Sequence, residues 1–558
     1  MKKFLIPIYL FFAVVQAWAV DTFNPANGQL TIPQVIVGNV TYSNIVITVG
    51  KVISIGILPS TSTYDTFDVA TGQLSIASVI VEEKIYYAVV ITVGNVISIG
   101  GQSTTDALFA SAPQLLPDIG LYVGNICSET LKPWLNSVTT VDLNADGRTD
   151  LLVSLMCNVP GGTILVGPTP NRLVALTQLQ DGSFKVDNLA AFGKEEMSLG
   201  GFGSFPVIGD FNRDGRPDFA YSVNREDGRL QNANLANQTW YPTILMSQPN
   251  GTYSLQEFGV QDYMSAVAIV ENDVGGVDAL FDGFNLNLMQ VYRYVSGVFN
   301  RIMGYPSNTQ VASILAYPRV QRDKGSEKIV TTGGSVETYL KANNVWSFAS
   351  RYSIPSVNSN VQIFSHTGNL VNTALSEFDG MKVTSYSFDF SCLLKITPQS
   401  EPIVIAGFSG GLVPSAYIGG ILDEGSLTTF NTLFAFDTNN GSVNRLANIF
   451  SDKYFELGHI AHLDCKDING DGYDDLVVSK SANDGGRPMI YLNSKNGKLM
   501  RYDTASFPAL PISEGESASV ISDLDGDGIS ELILFPRSVD YSNNSLSIRV
   551  YKGLKKLK

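Results

Sequence analysis

Four nine-residue stretches carry the side chains in this chain that could do chemistry together. They read Asp142-Leu-Asn144-Ala-Asp146-Gly147-Arg148-Thr-Asp150, Asp210-Phe-Asn212-Arg-Asp214-Gly215-Arg216-Pro-Asp218, Asp467-Ile-Asn469-Gly-Asp471-Gly472-Tyr473-Asp-Asp475 and Asp523-Leu-Asp525-Gly-Asp527-Gly528-Ile529-Ser-Glu531. Oxygen-bearing side chains stand at positions 1, 3, 5 and 9, and glycine stands at position 6. That spacing lets one tight turn aim several hard oxygens at a single point, which suits Ca²⁺. Bare, such a turn would crowd three or four like charges at a steep energetic cost. The expected ligands are the side chains at positions 1, 3, 5 and 9. The backbone carbonyl at position 7 (Arg148, Arg216, Tyr473 and Ile529) completes each set. Asp, Asn and Gly also build turns without any ion. One copy would leave the two readings level, but four copies, each ahead of a strand, favour one structural Ca²⁺ per loop.

The EF-hand shares the first half of this pattern, but it needs a bidentate Glu at position 12 and a helix on either side. Position 12 here is Val153, Tyr221, Val478 and Leu534. Each loop is followed by a β-prone apolar run: Leu151-Leu-Val-Ser, Phe219-Ala-Tyr-Ser, Leu476-Val-Val-Ser and Leu532-Ile-Leu-Phe. These have the pattern of buried strands, so each loop is predicted to join two strands.

Other chemistry is weakly supported. His459 and His462 are three apart, which on a strand sends their rings to opposite faces. No H-E-x-x-H occurs, and His366 stands apart, so zinc hydrolysis is not indicated. Serine is abundant, but no G-x-S-x-G nucleophile elbow is expected. Gly100-Gly101 and Gly333-Gly334 lie in turn contexts, not in phosphate-binding strand–loop–helix units. Trp134, Trp240, Tyr241 and Trp346 could stack on sugar rings, although packing within sheets is the simpler role. Arg148, Arg213 and Arg216 are expected as exposed loop residues. No catalytic set is assembled, and the expectation is a non-enzyme.

The elements that position these loops follow from repeats. Asp21–Gly56 and Asp65–Gly100 align without gaps at an offset of 65 − 21 = 44, with 22 of 36 positions identical. Each unit has about three runs rich in Val, Ile, Thr and Tyr, a small antiparallel β unit duplicated over residues 20–100. A unit this small can hardly bury a core, so the two are expected to pack together or on the main domain. Residues 101–119 read as a polar linker, and 120–558 as the main domain. There the acidic loops lie 210 − 142 = 68 and 523 − 467 = 56 residues apart. Degenerate copies occur at Glu271-Asn-Asp273-Val-Gly275-Gly276, at Gln321-Arg-Asp323-Lys-Gly325, near His366-Thr-Gly368-Asn and at Ser400-Glu401-Pro-Ile-Val-Ile-Ala-Gly. Seven or eight four-stranded units result, and radial stacking fits that count. The expected fold is all-β: a seven-bladed (eight as the alternative) β-propeller preceded by the small antiparallel repeat region.

Composition bounds the setting. Met1-Lys2-Lys3, an apolar run to about Val15 and Ala17-Trp-Ala19 form a signal-peptide pattern over residues 1–19. Export, to the periplasm, cell surface or medium, is therefore expected. No later run reaches the ~18 apolar residues of a membrane span. The formal charge is −15, or −17 without Lys2 and Lys3, which argues against a nucleic-acid partner. The cysteines are Cys127, Cys157, Cys392 and Cys465. Cys127 and Cys157 flank the first loop and could staple it, but four cysteines allow three pairings and the sequence does not choose.

With these residues in view, the chain from about 120 to 558 resembles the FG-GAP/VCBS repeats of integrin-α-type β-propellers. Their blades carry D-x-[DN]-x-D-G-x-x-D calcium loops. The second unit matches most fully, with Phe202-Gly203 ahead of Asp210 and Phe219-Ala-Tyr-Ser after it. The central units lack the metal set, and this is the one clear Phe-Gly lead-in. The resemblance implies a calcium propeller that binds a protein or glycan ligand in adhesion. A polysaccharide lyase-like enzyme on the same fold, or an envelope scaffold docking through the N-terminal repeats, are the alternatives.

Overall fold

The computed structural model describes residues 21–554 except for 57–64, 123–131, 159–170, 225–238, 318–327, 354–380, 415–427, 451–459, 481–487, 503–516, 537–547 and gaps of at most four residues. The expected leader, Cys127, His366, His459 and the degenerate copies at 321–325 and 366–369 lie outside the described residues. The chain divides into two compact units, residues up to Asp106 and the chain from Ala107 onward. Among the described residues no helix is long and apolar enough to cross a membrane.

The N-terminal unit shows why duplication was needed. Its strands are β1 (Asp21–Asn24), β2 (Gln29–Val37), β3 (Val40–Gly56), β4 (Thr66–Asp68), β5 (Gln73–Val81) and β6 (Lys84–Ser103). They form one sheet in the order β1-β2-β3-β6-β5-β4, joined at its centre by the long antiparallel pair β3–β6. Each short first strand also pairs in parallel with the other repeat: Thr22 lies opposite Ile80, and Thr66 opposite Ile36. These are the same pairing with the repeats exchanged (22 + 44 = 66, 36 + 44 = 80). The core obeys the same offset, with Leu30 and Leu74, Ile32 and Ile76, and Ile47 and Ile91 all buried together. Either repeat alone would leave half of that cluster in water. At the head of each repeat stand Asp21 and Asp65. Burial, then the Asp65 charge and hydrogen bond, hold the Asp21 carboxyl well above the usual carboxylate range.

From Ala107 the chain builds seven four-stranded antiparallel blades, a β-propeller. Blade 1 is Lys132–Val141, Asp150–Asn158, Arg172–Gln178 and Phe184–Val186. Blade 2 is Val207–Gly209, Asp218–Tyr221, Thr243–Ser247 and Tyr253–Glu257. Blade 3 is Met264–Glu271, Val277–Gly283, Leu288–Val295 and Val298–Pro306. Blade 4 is Val311–Ala316, Lys328–Gly333, Val336–Ala342 and Val345–Tyr352. Blade 5 is Met381–Leu394, Ile403–Pro414, Thr428–Asp437 and Asn444–Arg445. Blade 6 is Ile460–Lys466, Asp475–Lys480, Met489–Asn493 and Leu499–Tyr502. Blade 7 is Ser517–Ser522, Glu531–Pro536, Arg549–Tyr551 and Gln114–Leu115.

Blade 7 takes its outer strand from the front of the domain, since Gln114–Leu115 pairs with Arg549–Tyr551. This corrects the linker boundary. Residues 107–119 belong to the propeller, and Leu116 and Ile119 are buried between blades 7 and 1. A two-residue strand has no period to read, and its pairing is decided only when the ring closes. Second strands such as Asp218–Tyr221 are buried throughout because each blade is covered on both faces. The hydrophobic clusters accordingly lie between blades. One joins Leu135, Leu151 and Val153 to Val520, Ile533 and Phe535, and another joins Tyr317 and Val330 to Phe388, Phe408 and Phe436. Among the described residues each of these clusters draws on two adjacent blades, so neighbouring blades share a core.

Two disulfide facts complete the frame. Cys392 and Cys465 are bonded, with Cα atoms 5.8 Å apart across 73 residues, tying the inner strands of blades 5 and 6. Cys157 is also disulfide-bonded.

Candidate functional site

Each of the four acidic stretches is the hairpin between the first and second strands of its blade, in blades 1, 2, 6 and 7. Position 9 is the first residue of the second strand: Asp150, Asp218, Asp475 and Glu531. Strands flank every loop, and the EF-hand alternative has no counterpart in the fold.

The backbone conformation repeats. Position 6 is left-handed in all four, with φ of 83° at Gly147, 83° at Gly215, 84° at Gly472 and 82° at Gly528. Position 4 is left-handed as well: Gly470 (69°), Gly526 (75°) and, despite their side chains, Ala145 (60°) and Arg213 (60°). Holding Ala and Arg there costs about 1–2 kcal/mol each, so the loop's hydrogen bonds dictate the turn.

Those bonds are the same in each copy. The position 5 N–H donates to both the position 1 and the position 3 side-chain oxygens. In the first loop Asp146 donates to Asp142 at 3.1 Å and to Asn144 at 3.0 Å. The equivalent pairs occur at Asp214, Asp471 and Asp527. The position 6 N–H donates to the other position 1 oxygen. The position 7 N–H donates to position 5. Two side-chain oxygens that share one N–H must lie close together, so positions 1 and 3 converge in all four loops. In the loop with carboxylates at all four places, oxygens of Asp523, Asp525 and Glu531 come within 4.8 Å of one another.

Position 9 behaves differently from the other ligand positions. Asp150 is fully buried, one oxygen accepting the Leu143 N–H (2.9 Å) and the other the Gln178 N–H of the third strand (2.8 Å). Asp218 accepts from Phe211 and Ser247, Asp475 from Ile468 and Asn493, and Glu531 from Leu524 and Gly553. The acid is therefore a latch that pins the loop to its own blade. Burial is the largest influence on these groups. It pushes Asp218 up to about 6 and Asp475 up to about 7, against the pull of their backbone donors, and raises Asp150 and Glu531 too.

Positive side chains of the protein are drawn to the same oxygens. Arg148 pairs with Asp146, Lys495 with Asp471 at 3.4 Å and Lys552 with Asp525 at 2.7 Å. Arg216 is less free than the sequence suggests. Its guanidinium donates to the carbonyls of Leu143 (2.8 Å), Gly251 (2.8 Å) and Gln248 (3.2 Å), and lies 4.8 Å over the Tyr253 ring.

The degenerate copies close their turns with ion pairs. In blade 3, Asn272 accepts the Val274 and Gly276 N–H groups, and buried Asp278 receives two 2.8 Å bonds from Arg293. In blade 4 the second strand begins with a cation, buried Lys328, which pairs with Glu401 of blade 5 and lies 3.7 Å over the Tyr317 ring. These basic partners sit 15 and 73 residues from their acids. No local motif could have found them.

Among the other candidates, the Trp134 side chain lies outside the described residues. Trp346 is buried, and Trp240 donates to Glu257 at 3.0 Å. His462 stacks on Phe205 with ring centroids 4.1 Å apart. One serine does stand in a G-x-S-x-G string, Gly407-Phe408-Ser409-Gly410-Gly411. It lies within the continuous strand Ile403–Pro414 and makes no strand-to-helix elbow.

Residues 467–534, spanning loops 3 and 4, match the model of the FG-GAP-like repeat family. No curated protein matches the chain. Among solved structures, the rhamnogalacturonan lyase PL11 of Bacillus licheniformis is similar at 12% identity and a TM-score of 0.39, over 97% of this chain and 91% of that one. The exotype rhamnogalacturonan lyase YesX is similar at 12% identity and a TM-score of 0.38, over 97% and 92%.

Proposed function

We propose that this protein is an exported calcium-stabilised β-propeller that serves as a binding or adhesion module for a protein or glycan surface. The observation carrying the reading is the loop built four times over, with oxygens of positions 1 and 3 gathered on one N–H and a position 5 carboxylate beside them. The donor set fits a hard divalent cation, being all oxygen. The pull of Arg148, Lys495 and Lys552 onto the position 3 and 5 carboxylates shows the same demand for positive charge. Asp142, Asn144, Asp146 and the Arg148 carbonyl would hold the ion in loop 1. Asp210, Asn212, Asp214 and the Arg216 carbonyl would do so in loop 2. The third and fourth sets are Asp467, Asn469, Asp471 and Tyr473, and Asp523, Asp525, Asp527 and Ile529. Asp150, Asp218, Asp475 and Glu531 close each set from beneath. Bound Ca²⁺ would supply the charge that lets these carboxylates stay ionised at close range.

The test is a screen of glycans and surface proteins with and without Ca²⁺, run beside a thermal melt in chelator. Calcium-dependent capture and a lower melting temperature in chelator are expected. An unchanged melt would defeat the calcium reading. Turnover of an acidic polysaccharide in the same screen would replace the binding role with the enzymatic one.

A further inference from the structure

Loops 3, 4 and 1 touch one another through the peptide that follows position 1, and loops 1 and 2 through the peptide that follows position 2. In loop 3 the peptide joining Asp467 and Ile468 donates its N–H to Asp475 (3.1 Å), and its carbonyl accepts the Ser530 hydroxyl of loop 4 (3.2 Å). In loop 4 the peptide joining Asp523 and Leu524 donates to Glu531 (2.7 Å) and accepts from Thr149 of loop 1 (3.4 Å). Ser530 and Thr149 are both position 8 residues, each next to its loop's buried acid. Gln178, whose N–H holds Asp150, adds a bond from its side chain to the Leu524 carbonyl (3.3 Å).

Loop 2 has Pro217 at position 8 and no hydroxyl to offer. There Arg216 makes the link, donating to the Leu143 carbonyl of loop 1 (2.8 Å), which also accepts the Tyr253 hydroxyl (3.2 Å). The Leu143 N–H is in turn bonded to Asp150.

A peptide group is planar and rigid. Reorienting position 1 of loops 3 and 4 therefore moves a carbonyl that the next loop is holding, and reorienting Asn144 at position 3 of loop 1 moves the Leu143 carbonyl that Arg216 holds. We propose that Ser530, Thr149 and Arg216 are positioning residues that couple the loops in the order 3–4–1–2, so that filling one loop raises the cation affinity of the next. This inference rests on the calcium reading above and concerns how those sites communicate.

Calorimetric titration of the full chain with Ca²⁺ tests it. The isotherm should be steep, with neighbouring loops raising one another's affinity by about 5-fold or more. Thr149→Val, Ser530→Ala and Arg216→Met leave every ligand oxygen in place. Each should flatten the isotherm toward independent sites without lowering the number of ions bound, and Thr149→Ser should restore the steepness. A merely structural role would shift the metal-free melt and leave the steepness alone. Should Arg216→Met fail to fold, the two hydroxyl variants carry the test. Independent binding in the wild type, or steepness untouched in the variants, overturns the coupling while leaving the calcium reading intact. Absence of any Ca²⁺ binding overturns both.

Discussion

Blades 6, 7, 1 and 2 form one arc of the ring, and blades 3, 4 and 5 form the other. The same hairpin is closed in two ways. The first arc gathers carboxylates around backbone N–H groups and leaves negative charge over. The second supplies its own cations, Arg293 for Asp278 and Lys328 for Glu401. Burial pulls the Lys328 ammonium below its usual range, and the Glu401 partner offsets that. Asp278 meets its counter-charge in a side chain of its own blade, and the calcium reading assigns that role in the acidic loops to an ion. Reach does not separate the arcs: acidic loops bond to their neighbours along the ring, and Lys328 of blade 4 reaches Glu401 of blade 5, while the Arg293–Asp278 pair is closed within its blade. One junction between the arcs, at blades 5 and 6, carries the Cys392–Cys465 bond.

Chelation gives the largest separation of the two. An ion at 100-fold its dissociation constant contributes about 2.7 kcal/mol per site. In chelator, hydrogen exchange should rise at the amides of Asp146, Asp214, Asp471 and Asp527 and stay unchanged at Asn272 and Val274. Equal loss in both arcs would erase the distinction. Arg293→Met attacks the other side. It leaves Asp278 buried without its partner, at a cost of about 3–5 kcal/mol, and added Ca²⁺ should not restore the melting temperature. Calcium rescue would mean that blade 3 belongs with the acidic arc.

Smaller effects sharpen the picture. Reducing Cys392–Cys465 should cost about 2–4 kcal/mol, read as a denaturant midpoint shift; no shift would mean that packing alone holds the junction. Gly147→Ala meets no neighbouring atom, so only its φ of 83° matters. It should destabilise by about 1–2 kcal/mol, and Ala145→Gly should recover a similar strain. The same sign in the two melts would refute a shared left-handed turn.

The N-terminal unit is the control for both arcs. Asp21 has a raised folded pKa, so the folded unit binds more protons than the unfolded chain above the ordinary value of 3.8. Its stabilising contribution is complete below that value and is lost as pH rises through the folded one. Hydrogen exchange at Leu30 and Ile32 should therefore quicken with pH beyond the intrinsic rate, and Asp21→Asn should remove the excess. A flat response would mean that Asp21 does not titrate with the fold.

Local chemistry made much of this legible. Spacing of Asp, Asn and Gly marked the four hairpins, because a turn that gathers side-chain oxygens on its own N–H groups needs those residues within nine positions. The offset of 44 marked the N-terminal core, because equivalent apolar residues pack as equivalents. What the sequence left open were matters of long-range partnership. The position 9 acids read as ligands like the rest, but their donors Gln178, Ser247 and Asn493 on the third strands, and Gly553 just past one, lie 18–29 residues away. Arg216 read as an exposed loop residue, and Leu143, which it holds, is 73 residues off. The cation that pairs with Asp278 in blade 3, the disulfide partner of Cys392 and the strand that shuts the ring at Gln114–Leu115 were invisible for the same reason. A turn is specified by neighbours along the chain, whereas a charge partner or a closing strand is specified only once seven sheets have packed around a common axis.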